Sequence, residues 1–220
     1  GNIYVTCAKR EVFGQVGIDM TAGPSEVLVI ADDTANPRYL AADMLSQAEH
    51  DPLATAVLVT DSVSVAERTQ KELHRQLEML SRREIASLSI DAYGTIVLVR
   101  DLEEAVEFAN LVAPEHLELC VADPSSLLSR VRNAGAVFLG AYSPESLGDY
   151  FAGPNHVLPT SGTARFFSPL NVDDFCKKTS VIRYDRASLA ACAEDIARFA
   201  RAESLEAHAR SVEIRFEEET

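Results

Sequence analysis

Short apolar runs alternate with amphipathic segments along much of the chain. The runs are rich in β-branched residues, which is typical of strands that are buried on both faces of a parallel sheet. They lie at residues 26–30, 56–60, 95–99, 117–121 and 136–139. The segments between them have apolar residues at helical spacing and lie at residues 37–50, 62–83, 101–111 and 124–133, with Asp101 as a helix N-cap. We therefore predict an α/β fold with an open, mostly parallel, doubly wound sheet of an incomplete Rossmann-like kind.

The pattern changes toward both ends of the chain. Residues 3–6 are β-prone and follow neither an initiator Met nor a capping segment, so we expect the chain to begin in mid-domain. Residues 140–171 are rich in Gly and Pro and have little periodicity, which is typical of a long functional loop. A strand at residues 178–184 and helices at residues 188–202 and 205–216 are expected in a small C-terminal helical tail. That tail is too small to hold its own core, so it should pack on another domain or subunit.

Composition narrows the class of protein. The chain has 220 residues, of which 47% are hydrophobic, and this length suits one large or two small soluble domains. The formal charge of -14 opposes binding to nucleic acid or to anionic membrane surfaces. There is no apolar run long enough to cross a membrane and no export signal. Four scattered cysteines without a C-x-x-C pair favour a reducing cytoplasm.

Gln47 and His50 stand three positions apart near the end of the first predicted helix. Their side chains leave the same helix face and can converge on one ion. The alternative is a polar helix end at which His50 interacts with the last carbonyl groups, and spacing alone favours it.

Glu115 and His116 lie side by side in a turn before the fourth apolar run. Adjacent side chains on extended backbone point in different directions, so they would serve two reacting atoms or two steps rather than form one hydrogen-bonded dyad. The placement of this turn favours a site, because ligands of open α/β folds bind outside the carboxyl ends of the strands. An ordinary helix-to-strand turn is the alternative.

Asp149 and His156 lie between glycines in the long irregular segment. Asp149 has the chemistry of a hard metal ligand, and His156 could bond a substrate carboxylate, hydroxyl or imidazole. A functional role is favoured here because so polar a stretch is poor core material. His208, in the charged C-terminal helix, has the pattern of a surface histidine, and no G-x-G-x-x-G motif occurs in the chain. Chemistry alone thus predicts a mixed N/O site for a borderline metal near a Glu/His pair.

Several of these segments, in this order, resemble the histidinol dehydrogenase family. They are IDMTAGPSE at residues 18–26, SQAEH at 46–50, APEHLEL at 113–119, the run at 140–170 with GPNHVLPT at 153–160, and KTSVI at 178–182. The resemblance spans almost the whole chain, and GPNHVLPT is close to a family signature. The opening Gly1-Asn2 resembles the end of the family's Gly-Pro-Gly-Asn motif, so we expect the family's N-terminal half to be absent from this chain.

The resemblance implies an NAD-dependent oxidoreductase. The family oxidises L-histidinol to L-histidine through the bound aldehyde, with two NAD in succession, as the last step of histidine biosynthesis. It uses Zn²⁺, whose ligands match Gln47, His50 and Asp149, and His208 matches a ligand supplied by the partner subunit of a homodimer. The resemblance therefore replaces the surface interpretation of His208. Zinc in this family positions the substrate's imidazole and amino nitrogens.

The remaining roles are also implied by the resemblance. Glu115 and His116 match the catalytic pair, in which the glutamate activates water at the aldehyde stage and the histidine relays protons. Ser25, His156 and Glu203 match substrate contacts, in addition to the zinc ligands and the catalytic pair. Asn2 matches an NAD contact, and the other NAD contacts would lie in the absent half. We therefore expect the chain alone to bind NAD poorly, and it need not be active by itself.

The resemblance also implies a domain division. Residues 1–24 would be a remnant of the preceding domain on the NAD-binding side, residues 25–170 the Rossmann-like domain with the zinc and substrate residues, and residues 171–220 a tail that crosses to the other subunit. Two alternatives stay open. One is a binding or assembly module that keeps the fold without turnover, and the other is a zinc-dependent hydrolase that uses the same ligands without NAD.

Overall fold

The computed structural model describes residues 3–217, and the chain divides after Phe175 into two units. The first unit contains a single five-stranded sheet. Its strands are β1 (Glu26–Ala31), β2 (Thr55–Thr60), β3 (Gly94–Leu98), β4 (His116–Cys120) and β5 (Ala136–Leu139). They lie in the order β3-β2-β1-β4-β5, and all four pairings are parallel. The predicted open, doubly wound sheet is thus confirmed.

Helices cover both faces of this sheet. The helices of the first unit are α1 (Ile3–Val12), α2 (Pro37–Ala48), α3 (Val63–Leu77), α4 (Arg83–Tyr93), α5 (Leu102–Val112), α6 (Pro124–Leu128) and α7 (Glu145–Tyr150). Side chains alternate across a strand, so Val27 and Val29 of β1 pack with residues of α2 and α3, whereas Leu28 and Ile30 pack with residues of α5 and α6. The central strand is therefore apolar on both sides, as its sequence predicted.

The helix boundaries agree with the sequence in part. The Asp101 carboxylate accepts a hydrogen bond from the Glu104 N–H at 2.8 Å, which confirms the predicted N-cap. The helix predicted at residues 62–83 is confirmed as α3, but its predicted end is wrong, because α3 ends at Leu77 and α4 follows as a separate helix. The buried residues of α4 are small, and its Ser89 hydroxyl donates to the Ala54 carbonyl at 2.9 Å. A buried stripe of small residues gives only a weak helical signal.

The β-prone run at residues 3–6 is helical, as part of α1. Within the described residues, no strand pairs with this run, so its β propensity is not supported by hydrogen bonds to a neighbouring strand. Tertiary contacts favour the helix instead. The buried Thr6 hydroxyl donates to the Ala22 carbonyl at 3.0 Å, and Lys9 pairs with Asp19 at 2.5 Å.

The second unit is helical. Its helices are α8 (Arg186–Ala190), α9 (Ala193–Ala202) and α10 (Glu206–Glu213), followed by a 3₁₀ turn at Ile214–Phe216. Buried alanines of α9 and α10 form its small apolar cluster, and Arg201 pairs with Glu206 and Glu213. The strand predicted at residues 178–184 is wrong. These residues are exposed and have no regular structure, since nothing in the described part of the chain pairs with them. Among residues 3–217 no helix is long and apolar enough to cross a membrane.

Candidate active site

The candidate residues of the first unit gather at the amino-terminal edge of the sheet. His116 is the first residue of β4, Glu115 precedes it, and Ser25 stands just before β1. Gln47 and His50 reach the same edge because the chain leaves α2 there to enter β2. The expectation that the Glu115-His116 turn lies at the carboxyl ends of the strands is wrong. A turn that leads into a strand lies at the amino end of that strand, and parallel strands share this edge.

Glu115 is held in a buried position by the start of β1. Only 6% of the residue is exposed, and its Oε2 accepts a hydrogen bond from the Glu26 N–H at 3.0 Å. Burial raises the pKa of Glu115 to about 8, and the nearby carboxylates of Glu26, Glu145 and Asp149 act in the same direction. The carboxyl group is thus poised to take up or release a proton near neutral pH.

His116 is anchored by the same residue of β1. Its Nδ1 lies 3.0 Å from the Glu26 carbonyl oxygen, which can only accept a hydrogen bond, so Nδ1 carries the proton. In the neutral ring Nε2 is then the basic nitrogen, and it is buried without a hydrogen-bond partner. Burial lowers the pKa of His116, which favours this neutral form. The 3.6 Å between Nδ1 and the Glu115 Oε2 is too long for a hydrogen bond between the two side chains.

Helix α7 brings a second set of polar groups to this edge. One ligand atom each of His50, Glu145 and Asp149 lies within 4.8 Å of the other two. His50 is exposed, Asp149 is half-buried, and Glu145 is 2% exposed. One histidine and one carboxylate that were predicted from the sequence, His50 and Asp149, therefore lie close together.

Glu145 is a member of this group that the sequence analysis missed. It stands four positions before Asp149, on the same face of α7, and follows Pro144 at the start of the helix. Its carboxylate accepts a hydrogen bond from the Ser46 hydroxyl at 3.1 Å, and its N–H donates to the Glu118 carboxylate at 2.8 Å. Burial, followed by the nearby Asp149, raises the pKa of Glu145 to about 7. The i, i+4 spacing of two acids after a proline was the signal available in the sequence.

Gln47 lies one helical turn before His50 and is fully buried. Neither its Oε1 nor its Nε2 has a hydrogen-bond partner. A buried amide without partners is costly, because it has lost its hydrogen bonds to water without replacing them. Together with an imidazole and carboxylates, an amide oxygen forms a donor set that suits a borderline divalent metal. The residues present therefore fit a metal centre.

A cavity of about 340 Å³ opens beside these groups, and His116, Asp149 and His156 are among its lining residues. Its wall includes Phe138, whose ring centroid lies 6.0 Å from that of His116. Helix α7 approaches this wall closely because Gly148 has no side chain, and a Cβ there would stand 2.7 Å from the Phe138 ring. The cavity thus joins three candidate residues from separate stretches of the sequence.

The remaining candidate residues are Glu203, His208 and Asn2. Glu203 caps the end of α9 and His208 lies in α10, and both are exposed residues of the second unit. Asn2 lies outside the described residues. The turn after β1, where Rossmann folds bind a dinucleotide pyrophosphate, contains Asp32 and Asp33, whose charges would repel phosphate. The described residues therefore do not fit an NAD site at that turn.

Comparison with known proteins gives the family. The sequence model described as Histidinol dehydrogenase matches residues 1–216. The chain belongs to the histidinol dehydrogenase family. Histidinol dehydrogenases from Bacillus licheniformis and Bacillus subtilis are 61% and 60% identical over 219 and 215 residues. These matches cover 100% and 98% of this chain but 51% and 50% of the relatives.

A solved structure agrees with this assignment. The crystal structure of histidinol dehydrogenase from Elizabethkingia anophelis matches with a TM-score of 0.91 and 41% identity, over 98% of this chain and 50% of that one. The resemblance recognised in the sequence is confirmed. The chain spans about half the length of the histidinol dehydrogenases that it matches.

Proposed function

We propose that this chain supplies the zinc, substrate and proton-transfer residues for the NAD-dependent oxidation of L-histidinol to L-histidine through L-histidinaldehyde. The reaction would be the last step of histidine biosynthesis, carried out by a cytoplasmic homodimer. The observation that carries the proposal is the meeting of His50, Asp149 and His116 at one edge of the sheet, beside a cavity. Membership of the histidinol dehydrogenase family supports it.

Gln47, His50 and Asp149 would hold the Zn²⁺, with His208 contributed by the second subunit. The buried amide of Gln47, which has no partner in the protein, supports this assignment because a ligand would relieve its cost. When bound, the zinc would orient the imidazole and amino nitrogens of the substrate. Ser25 and His156, with Glu203 from the tail, would contact the substrate.

His116 and Glu115 would divide the proton transfers. The unprotonated Nε2 of His116 belongs to a residue that lines the cavity, and it would accept the hydroxyl proton of the substrate. Glu115, in its ionised form, would take a proton from the water that adds to the aldehyde carbon. Their separate anchors on Glu26 support two distinct steps. NAD, when bound, supplies the hydride acceptor for both oxidations.

The domain division is part of the same proposal. Residues 1–24 would belong with the NAD-binding side, residues 25–170 would form the domain that carries the site, and residues 171–220 would cross to the second subunit. NAD contacts, including Asn2, would be completed by the other half of the enzyme, in line with the acidic turn after β1.

The test is histidinol oxidation by the intact enzyme and by this chain alone. The intact enzyme should form two NADH for each histidine, lose this activity to a chelator and regain it with Zn²⁺, whereas the chain alone should bind NAD weakly in a titration. Tight, saturable NAD binding by the chain would contradict the division of the cofactor site. Cleavage of an acyl histidinol analogue without NAD would favour a zinc hydrolase. Histidinol binding by the intact, metal-loaded protein without NADH formation would favour a non-catalytic module.

A further inference from the structure

We propose that Glu26 is the positioning residue of this site: its main chain holds Glu115 and His116, and its side chain fixes the loop that carries His156. The inference rests on the proposed function for the roles of those three residues. Through these contacts Glu26 keeps groups from separate stretches of the sequence in one geometry.

The main chain of Glu26 contacts both members of the Glu/His pair. Its N–H donates to the Glu115 Oε2, and its carbonyl oxygen accepts from the His116 Nδ1, each at 3.0 Å. Glu26 is the first residue of β1, where it pairs with Thr55 of β2, while the next residue, Val27, pairs with His116 of β4. The side chains of Glu115 and His116 are thus held by the central strand of the sheet rather than by a loop.

The side chain of Glu26 points to a different segment. Its Oε1 accepts a hydrogen bond from the Ser161 N–H at 2.8 Å. Ser161 has a φ of 56°, in the left-handed region, so the hydrogen bond holds a backbone conformation that serine adopts at a cost. Next to it, the Thr160 hydroxyl accepts from the Gly23 N–H at 2.6 Å. The end of the loop after His156 is therefore fastened to the entry of β1.

A purely structural acceptor for Ser161 would not need a charge. The Glu26 Oε2 is buried without a hydrogen-bond partner, and burial raises the pKa of this carboxyl group. A glutamine would accept the same hydrogen bond without placing a carboxylate in this position. The carboxylate also acts on Glu115, because its negative charge raises the pKa of that neighbour. The side chain thus has two separable effects, one on the loop and one on the electrostatics of the pair.

Two substitutions in the intact enzyme separate these effects. Glu26→Ala removes the acceptor and the charge, and we expect kcat/KM for histidinol to fall by about tenfold or more, with a raised KM, because the loop is displaced. Glu26→Gln keeps the acceptor, so KM should return close to the wild-type value. The kcat/KM of Glu26→Gln should begin to rise at a lower pH than that of the wild type. The pKa of Glu115 is lower in this variant because one negative charge is gone, while Glu145, Asp149 and His116 still surround it. Glu84→Ala, at an exposed glutamate of α4, is the control and should change neither.

Hydrogen exchange at the Ser161 amide gives a readout that does not need turnover. It should be faster in Glu26→Ala than in the wild type and in Glu26→Gln. If the wild-type enzyme does not oxidise histidinol, the proposed function fails, and this exchange experiment still decides the anchoring role. Unchanged kcat/KM and Ser161 exchange in Glu26→Ala would overturn the inference. Should the alanine variant fail to fold, Glu26→Asp, whose shorter side chain does not reach the Ser161 N–H, replaces it, and unchanged kcat/KM and Ser161 exchange in that variant would overturn the inference.

Discussion

The Nε2 of His116 lies 3.8 Å from the Oδ1 of Asp149. The same carboxylate also lies in the group formed with His50 and Glu145, so it faces both the candidate metal ligands and the candidate proton-transfer residue. Burial lowers the pKa of His116, whereas the charge of Asp149 raises it. Asp149 therefore couples the two parts of the site, and whatever neutralises its charge will favour the unprotonated imidazole.

Gln47 offers a test in which stability and metal binding should change in opposite directions. Gln47→Met conserves volume and removes a buried amide without partners, a change worth about 1–3 kcal/mol. We expect the metal-free variant to melt at a higher temperature than the wild type, and Zn²⁺ to stabilise it much less. Calorimetry with and without Zn²⁺ measures both effects.

The control for this experiment is Gln15→Met, at an exposed position of the first unit, which should leave both melting temperatures unchanged. Equal stabilisation of wild type and Gln47→Met by Zn²⁺ would show that the amide is not a ligand. A lower melting temperature of the metal-free variant would show that the amide is satisfied in solution.

The sequence predicted the sheet because β1 and β2 are apolar at nearly every position, a pattern that few other structures share. It missed α4, whose buried side chains are small. Residues 3–6 are β-prone but helical, and the strand predicted at residues 178–184 from propensity alone is wrong. Strands depend on partners that are distant in the sequence, so β propensity cannot decide such cases.

The site was predictable where its residues share one local element. Gln47 and His50 stand three positions apart at the end of α2, so spacing offered them as one metal edge, although spacing alone favoured a polar helix end. Glu145 and Asp149 are also paired by spacing, but the Gly/Pro-rich surroundings concealed the short helix α7. The role of Glu26 rests on its backbone groups and on a contact with Ser161, and neither depends on a local pattern.

Gly148 tests whether the position of α7 controls the metal site. The Cβ of Gly148→Ala would meet the Phe138 ring at 2.7 Å, so α7 or the ring must move, and a shift of α7 would displace Asp149. We expect Zn²⁺ affinity, measured by competition with a chelator, to fall by about tenfold. Adding Phe138→Leu should restore much of the loss. Gly17→Ala is the matched control, because a Cβ there meets nothing within 4 Å. A double variant as weak as the single one would contradict the steric explanation.

The buried Glu115 side chain should destabilise the folded, metal-free protein increasingly as the pH rises above the ordinary pKa of a glutamate. Its pKa is about 8 in the folded chain against an ordinary value of 4.5, so between these values the folded state binds more protons than the unfolded state. Stability must then fall as pH rises through this window. Glu115→Gln removes the effect, so its advantage over the wild type should be absent near pH 4 and grow up to about pH 8, by at most about 1.4 kcal/mol per pKa unit.

Denaturant unfolding at several pH values measures this difference in the metal-free protein. Histidinaldehyde oxidation by the same variant should be lost, because an amide cannot accept the proton of the attacking water. A pH-independent gain in stability would attribute the effect to packing, and full activity would remove Glu115 from the reaction.

The assignment of His50 and His208 to one site formed by two subunits predicts complementation. His50→Ala and His208→Ala should each be inactive. If they are mixed under conditions that exchange subunits, half of the dimers are mixed, and each of these has one intact site, so activity should recover to about a quarter of the wild-type value. A mixture of His50→Ala with Asp149→Ala is the matched control. Both of these residues lie in the first unit, so every site in that mixture has a defect and no activity should return. Mixed dimers of the first pair that form and stay inactive would place His208 in the site of its own chain, or outside the site altogether.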